Sequence, residues 1–175
     1  MVNPYHAGTF TRPDAPRFAR RANVDASPVD PTNPFPIKLY AAGARSFSIR
    51  DDAGNLVYDS GAILDKKAAE RGIYDDGRSR DKGVEPEGVS LQEIAGRNYA
   101  FIGLERTLKG AVAVFDITEP AKTRYVDMIV TDGDIAPEGL AAYQYRGDYY
   151  LAIANEVSNT TTLYTLERSR RGSRH

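Results

Sequence analysis

Two histidines and no cysteine limit the chemistry that this 175-residue sequence can support. His6 and His175 lie at opposite ends of the chain, so neither a Ser-His-Asp triad nor a histidine-rich metal site is expected. The absence of cysteine excludes disulfides, zinc–thiolate sites and cysteine nucleophiles. Chemistry must therefore use carboxylates, Arg, Lys, Tyr, backbone groups or a hard cation, and we predict no haem, nucleotide or zinc–thiolate site.

A Pro-Glu-Gly motif occurs twice, at residues 86–88 and 137–139. Each glutamate follows an aspartate in the preceding loop, and converging carboxylates without histidine favour a hard cation such as calcium. The predicted metal ligands are Asp81, Glu87, Asp132 and Glu138. A structural corner, in which glycine supplies backbone freedom and glutamate caps free amides, explains the same motif.

A second group of polar residues follows two apolar segments at equivalent positions. Glu105, Arg106 and Glu156 are the candidate catalytic residues, and Arg97 and Asn155 are the candidate substrate-binding residues. The planar guanidinium of an arginine suits a phosphate oxygen. An ion pair repeated between neighbouring units is the alternative interpretation.

Residues 74–85 form a charged segment that contains Asp75, Asp76, Arg78, Asp81, Lys82 and Glu85. The carboxylates lack the regular spacing of an EF-hand loop. A solvated surface loop is the simpler interpretation, and a cation or phosphate loop is the other. Arg45, like Arg97, is a further possible ion-pair partner for the glutamates that end the apolar segments.

The elements that position these residues are short strands separated by turns. Strands are predicted near 37–41, 46–50 and 56–58, then at 88–94, 98–104, 111–117, 123–130, 139–145, 148–155 and 161–166, with one helix at 63–71 ended by Gly72. Strands at intervals of about ten residues are typical of antiparallel all-β proteins.

An internal repeat relates two parts of the chain. A shift of 51 positions aligns residues 81–116 with 132–167 without a gap and gives eight identities. Similar residues also align, such as Val112 with Leu163 and Phe115 with Leu166. A period of about 40 to 50 residues with several strands is typical of a β-propeller blade. The innermost strands of successive blades would bring the two Pro-Glu-Gly glutamates to one end of a central channel.

The chain is therefore predicted to be all-β, a partial β-propeller of about two and a half four-stranded antiparallel blades. Residues 1–36 carry seven prolines and predict an irregular basic arm. The blades occupy residues 37–167, and residues 168–175 form a basic tail. Because isolated blades expose apolar faces, self-association or missing N-terminal blades would complete the propeller.

The sequence also resembles a known family of bacterial surface proteins. The shared motifs include residues 43–49, 56–61, 81–83, 85–89, 96–97, 99–106, 137–140, 154–158 and 160–162. They are similar to the C-terminal blades of the choice-of-anchor I domain, whose members are labelled alkaline phosphatase-like or mesenchyme-specific cell-surface glycoprotein-like. The resemblance implies an extracellular or cell-surface protein, and no signal peptide is recognised at residues 1–21.

Two functions agree with this resemblance. The first is a binding or structural module that recognises a surface polymer or a protein, with a possible dependence on calcium. The second is a metal-dependent phosphoesterase acting on a phosphate ester. A net charge of −1 gives no reason to expect nucleic acid as a partner, and no stretch reaches the roughly 20 apolar residues that span a membrane.

Overall fold

The computed structural model describes residues 45–167 and two short strands that precede them. Within these residues the secondary structure is almost entirely β, with one α-helix and two 3-10 turns at Asp76–Arg78 and Pro120–Lys122. The helix is α1 (Ile63–Glu70). The strands are β1 (Val24–Asp25), β2 (Tyr40–Ala41), β3 (Ser48–Arg50), β4 (Leu56–Asp59), β5 (Pro86–Ile94), β6 (Arg97–Leu104), β7 (Gly110–Asp116), β8 (Arg124–Thr131), β9 (Pro137–Tyr145), β10 (Asp148–Asn155) and β11 (Thr160–Leu166).

The longer strands form two antiparallel sheets from consecutive parts of the chain. Sheet I contains four strands in the order β5-β6-β7-β8, and sheet II contains three in the order β11-β10-β9. The hairpin β3-β4 and the pair β1-β2 form two further sheets of two strands each. Strands that are adjacent in the sequence are also adjacent in space, as expected when short turns connect antiparallel strands.

These elements confirm the all-β class and the single short helix within the described residues. Each strand predicted between residues 88 and 166 is present, with its ends displaced by no more than about two residues. Among the described residues, only sheet I has the four strands expected of a blade, and none of the sheets is closed. The number of blades therefore stays a prediction.

The two middle strands of sheet I, β6 and β7, are buried on both faces because their alternate side chains enter two different cores. The first core lies beneath α1 and contains Leu64, Ala68, Ala100, Ile102, Leu104, Ala111, Ala113 and Phe115. The second lies between the two sheets and contains Phe101, Val112, Leu151 and Ile153. Burial on both faces explains why β6 reads as a nearly continuous apolar run rather than an alternating one.

Sheet II packs on sheet I mainly through β9, which contacts β5 and β6. The two layers approach closely at glycines of sheet I. A Cβ added to Gly88 would overlap Leu140 Cδ1, and one added to Gly103 would lie 2.8 Å from the same atom. The Ala142 N–H also donates a hydrogen bond to Ser90 Oγ at 2.8 Å. Small residues on β5 and β6 are therefore required where β9 lies across them.

The helix ends one residue earlier than predicted, and Gly72 terminates it. Gly72 has a φ of 68°, and its N–H bonds to Ala69 O at 3.0 Å. The N–H of Ile73 bonds to Ala68 O at 3.0 Å, which completes a Schellman motif. Leu64 and Ala68 are the residues of α1 that are buried, and they anchor the helix on sheet I.

The repeat is visible in the backbone as well as in the sequence. Glu85 and Ala136, which are equivalent by the 51-residue shift, have φ values of 47° and 62°. Ala95 and Arg146 are also equivalent, and their φ values are 51° and 52°. Positive φ is uncommon for residues other than glycine. Two such pairs at matching positions therefore support two copies of one structural unit.

The gap-free alignment is wrong beyond the second strand of each copy. Leu104 pairs with Ala111 across the turn in sheet I, whereas Asn155 pairs with Thr160 in sheet II. The turn in sheet II is thus two residues shorter. The equivalences of Val112 with Leu163 and of Phe115 with Leu166 are out of register by two positions. Because the period of a strand is two, each residue stays on its predicted face.

The prediction of a wholly irregular N-terminal arm is wrong at two residues. Val24 and Asp25 form β1, which pairs antiparallel with Ala41 and Tyr40 of β2. The remainder of the arm, the basic tail at 168–175 and both histidines lie outside the described residues. Among the residues that are described, no helix has the length and apolar character needed to cross a membrane.

Candidate carboxylate site

The candidate site lies at the end of sheet I where β5 begins and β6 ends. The N–H of Glu105 donates to Glu85 O at 3.0 Å, and the N–H of Arg106 donates to Val84 O at 3.0 Å. These bonds continue the antiparallel pairing beyond the strands. The side chains that precede β5 and those that follow β6 are therefore held next to each other.

Three glutamates converge at this position. One carboxylate oxygen from each of Glu85, Glu87 and Glu105 lies within 4.8 Å of the other two. Glu85 and Glu105 are only 4% and 6% exposed, whereas Glu87 reaches solvent. Hard cations prefer oxygen ligands of this kind. In the described part of the chain, no other set of three acidic side chains meets this distance condition.

Basic side chains compensate much of the negative charge. Arg78 pairs with Glu85, and Lys82 Nζ lies 2.8 Å from Glu85 Oε2. Arg106 Nη2 lies 2.5 Å from Glu105 Oε1. All three basic side chains remain partly exposed, so each can turn towards solvent. A cation that bound here would compete with them for the carboxylates.

The ionised form of Glu105 is disfavoured in this cluster. Burial raises the pKa of Glu105, and the carboxylates of Glu87 and Glu156 raise it further, against the opposing effect of Arg106. A bound cation would reverse the effect, because an added positive charge stabilises the ionised carboxylate.

The charged segment at 74–85 is not simply a solvated loop, because its C-terminal end is buried. Val84 is fully buried next to the equally buried Glu85. Arg45 Nη1 donates to Asp65 Oδ2 at 2.8 Å and to Tyr74 Oη at 3.0 Å, and Arg45 Nη2 donates to the carbonyl oxygen of Ser79. Arg45 therefore fixes this segment to α1 and does not pair with Glu105.

Of the four predicted metal ligands, the structure places Glu87 alone in the cluster. Asp132 instead forms an exposed ion pair with Lys109 at 2.6 Å. The carbonyl oxygen of Asp81 accepts a hydrogen bond from Arg45 Nη2 at 3.4 Å. Glu138 is exposed on β9. Glu85 was not among the four predicted ligands, although the sequence placed it in the charged segment for which a cation loop was one interpretation.

Sheet II has the equivalent backbone without the equivalent cluster. The N–H of Glu156 donates to Ala136 O at 2.8 Å, as that of Glu105 does to Glu85 O. Because alanine replaces Glu85 in this copy, the second carboxylate of the group is missing. Glu156 nevertheless raises the pKa of Glu105, so it adds negative charge to the site in sheet I. The alignment of Glu85 with Ala136 is the sequence signal that distinguishes the two copies.

The structure separates Arg97 from the candidate catalytic residues. Arg97 begins β6 and Glu105 follows its end, which places them about 25 Å apart. Arg97 Nη1 lies 2.9 Å from Asp116 Oδ2, and Arg124 Nη2 lies 2.8 Å from the same oxygen. The Asp116 carboxylate also accepts a hydrogen bond from Thr118 Oγ1 at 2.7 Å. Sequence analysis did not identify this group.

Several effects compete at Asp116. Its burial opposes ionisation, but the hydrogen bonds from Thr118 and Arg124 and the charge of Arg97 outweigh it and lower the pKa of Asp116 to about 2. The carboxylate is thus held in its charged form by partners of the opposite sign. The structure therefore shows an ion-pair group at this end of sheet I, and the assignment of Arg97 to substrate binding stays a prediction.

Asn155, the other candidate substrate-binding residue, belongs to a second structural network. It is buried, and its Nδ2 donates to Thr160 Oγ1 at 3.2 Å. Thr160 Oγ1 in turn donates to Asp134 Oδ1 at 2.7 Å, and Thr162 donates to Asp134 Oδ2. These bonds lower the pKa of Asp134, with Thr162 as the largest cause. Thr160 and Thr162 therefore act as hydrogen-bond donors to Asp134.

The fold and the site define an all-β protein made of a repeated antiparallel sheet, with an acidic cluster at one end of the first copy. A family model for the choice-of-anchor I domain matches residues 21–120, which is more than half of the chain. The chain therefore belongs to the choice-of-anchor I domain family, and this membership indicates a surface-associated module. No curated protein and no solved structure gives a significant match.

Proposed function

We propose that the chain is a binding or structural part of a surface protein, built from stacked propeller-type blades and stabilised by calcium. The stacking of sheet II on sheet I through β9 and the repeated backbone conformations support this architecture. The observation that carries the calcium assignment is the convergence of Glu85, Glu87 and Glu105 within 4.8 Å. Extracellular calcium modules typically bind with a Kd of about 0.1 to 1 mM, and the competing basic side chains favour weak binding here.

The first prediction is that calcium raises the melting temperature of the chain and that Glu87 is needed for the increase. Glu87→Gln removes the exposed ligand while leaving the buried ion pairs of Glu85 and Glu105 in place. We expect calcium at about ten times its Kd to stabilise the wild type by about 1.4 kcal/mol and to leave Glu87→Gln unchanged. Thermal unfolding followed by circular dichroism, with calcium or with a chelator, measures this difference.

Glu138→Gln is the matched control for this experiment. Glu138 holds the same place in the second Pro-Glu-Gly motif, but Ala136 replaces the second carboxylate there. This variant should respond to calcium as the wild type does. An equal response from Glu87→Gln, or no response from the wild type, would rule out the proposed calcium site.

A metal-dependent phosphoesterase is the second candidate function. The observation that favours it is the pairing of Glu105, whose pKa is raised, with the partly exposed guanidinium of Arg106. Bound calcium would neutralise a phosphate and polarise water, and Arg106 would hold a phosphate oxygen. Glu156 would then lie beside the reacting group.

Hydrolysis of a chromogenic phosphate ester, with and without chelator, tests the enzymatic alternative. Chelator-sensitive turnover that Arg106→Ala lowers at least about tenfold would support it. Arg97→Ala is the control, because Arg97 lies at the opposite end of β6 and its loss should leave any turnover unchanged. Turnover that is absent, or that does not respond to chelator, would leave the binding or structural role.

A further inference from the structure

The side of sheet II that faces away from sheet I is apolar and exposed. Alternation along the strands places Leu151 and Ile153 in the core between the sheets and directs their neighbours outward. We call this surface the outer face of sheet II. It includes Gly139, Ala141, Tyr143, Ala152, Ala154 and Leu163. Tyr143 and Leu163 are 40% and 58% exposed, so large as well as small apolar residues meet solvent here.

The internal repeat indicates what kind of surface fits this face. By the 51-residue shift, Gly139 and Ala154 correspond to Gly88 and Gly103 of sheet I. In sheet I those two glycines are the positions over which Leu140 of β9 packs, with no room for a Cβ. The outer face of sheet II thus resembles the face of sheet I that a first strand of the next copy covers. Gly139 keeps the glycine of Gly88, whereas Ala154 adds a methyl group where Gly103 has none.

The matching surface of such a partner is also exposed on this chain. Leu140 and Ala142 are the residues of β9 that face sheet I. Their equivalents on β5 are Val89 and Leu91, which are 62% and 60% exposed. Helix α1 covers the middle strands of sheet I and leaves these two side chains of the edge strand in contact with solvent. Scattered single apolar residues are normal on surfaces, but two matching apolar surfaces indicate an interface.

We propose that the β5 strand of a second copy of this chain docks on the outer face of sheet II, as β9 docks on sheet I. This inference rests on the stacked-blade architecture of the proposed function and is independent of its calcium site. The interface is heterologous, since one copy contributes Val89 and Leu91 and the other contributes the surface around Gly139. Such head-to-tail contacts form rings if the rotation closes and open chains if it does not.

Two substitutions block opposite sides of this interface. Gly139→Val adds a side chain where docking requires close approach, yet in the chain itself a Cβ at this position meets only Ala154 Cβ at 3.4 Å. Leu91→Glu places a charge on the other surface, at a position exposed in the described structure. Each should weaken self-association by about 10- to 100-fold. Neither should change the circular dichroism spectrum.

Sedimentation analysis of wild type, single variants and their mixture tests the proposal. The wild type should associate at micromolar concentration, and each variant alone should sediment as a monomer of 19.2 kDa. An equimolar mixture of the two variants should form a dimer and nothing larger, because only one intact pair of surfaces remains. Val126→Glu replaces another exposed apolar residue, on β8, and should associate like the wild type.

Several results would overturn the inference. A monomeric wild type would do so. A monomeric Val89→Cys variant whose cysteine cross-links to residues 1–44 of the same chain would do so too, because that segment and not a second copy would then cover the β5 surface. Association that survives both substitutions, or a mixture that stays monomeric, would do so as well. If Gly139→Val does not fold, Ala154→Leu tests the same surface, because Ala154 is exposed on β10. A monomeric wild type that is still stabilised by calcium would remove this interface and leave the calcium site intact.

Discussion

Each end of sheet I buries an acidic residue to about the same extent, but the pKa values of the two residues shift in opposite directions. Asp116 is 5% exposed and Glu105 is 6% exposed. The pKa of Asp116 falls to about 2, whereas the pKa of Glu105 rises. Burial opposes ionisation at both residues, so the neighbouring groups must account for the difference.

Those neighbours differ in sign. Asp116 receives hydrogen bonds from Thr118 and Arg124 and an ion pair from Arg97. Glu105 has a single arginine partner and lies among other carboxylates. At the Asp116 end the partners compensate the negative charge, so this group stabilises the fold. At the Glu105 end the ionised carboxylate is still disfavoured. A bound cation would stabilise this ionised form, so cation binding is favoured here.

The largest effect on stability is expected at the Asp116 end of sheet I. Asp116→Asn removes the charge that organises two arginines and should lower the free energy of unfolding by about 2 kcal/mol at pH 7. The wild-type contribution should be fully present above about pH 4 and should disappear as the pH falls towards 2, because the folded-state pKa is about 2 and the ordinary pKa of an aspartate is 3.8. Urea denaturation at several pH values measures both effects.

Asp127→Asn provides the control for this measurement. Asp127 forms an ion pair with Arg71 at 2.5 Å, but both side chains are largely exposed. Its loss should change the free energy of unfolding by less than about 1 kcal/mol. Equal effects from the two substitutions would mean that Asp116 is not held in the way proposed for this end of the sheet.

The sequence was sufficient to locate the strands of both sheets. Turns such as Ala95-Gly96 and Arg146-Gly147 separate segments whose apolar residues suit a sheet, and local chemistry alone predicts these hairpins. The Pro-Glu-Gly motifs form the first residues of β5 and β9, so both strands begin two residues earlier than predicted. Local patterns of this kind depend on residues close in the chain, so a single sequence contains them.

The partners of the charged residues could not be predicted in the same way. Asp116 meets Arg97 because β6 and β7 pair with Tyr99 opposite Asp116, and such a register is a property of the folded sheet. Glu85 was one of several acids in a charged segment, and its burial depends on backbone bonds made by Glu105 and Arg106. The site therefore became defined only when both strand ends were brought together.

The smallest effect is expected at the cluster, and it has the opposite pH dependence. Because the folded-state pKa of Glu105 lies above the ordinary glutamate value of 4.5, the folded chain binds more protons than the unfolded chain in the interval between these two pKa values. Wild-type stability in chelator should therefore fall as the pH rises through this interval. Glu105→Gln cannot ionise and should lack this fall. Its free energy of unfolding at pH 7 should differ from that of the wild type by less than about 1 kcal/mol, because losing the pair with Arg106 offsets the removal of a disfavoured charge.

Calcium sharpens this last test, because a cation favours the ionised form of Glu105. In saturating calcium the wild type should lose the decline with pH that it shows in chelator, while Glu105→Gln should respond little to either condition. Urea denaturation from pH 4 to 8 measures the slopes. A wild-type slope that is the same in calcium and in chelator would mean that the carboxylates are already balanced by Arg78, Lys82 and Arg106. The two ends of sheet I would then differ in charge but not in role, and the cluster would be a structural ion-pair group like that of Asp116.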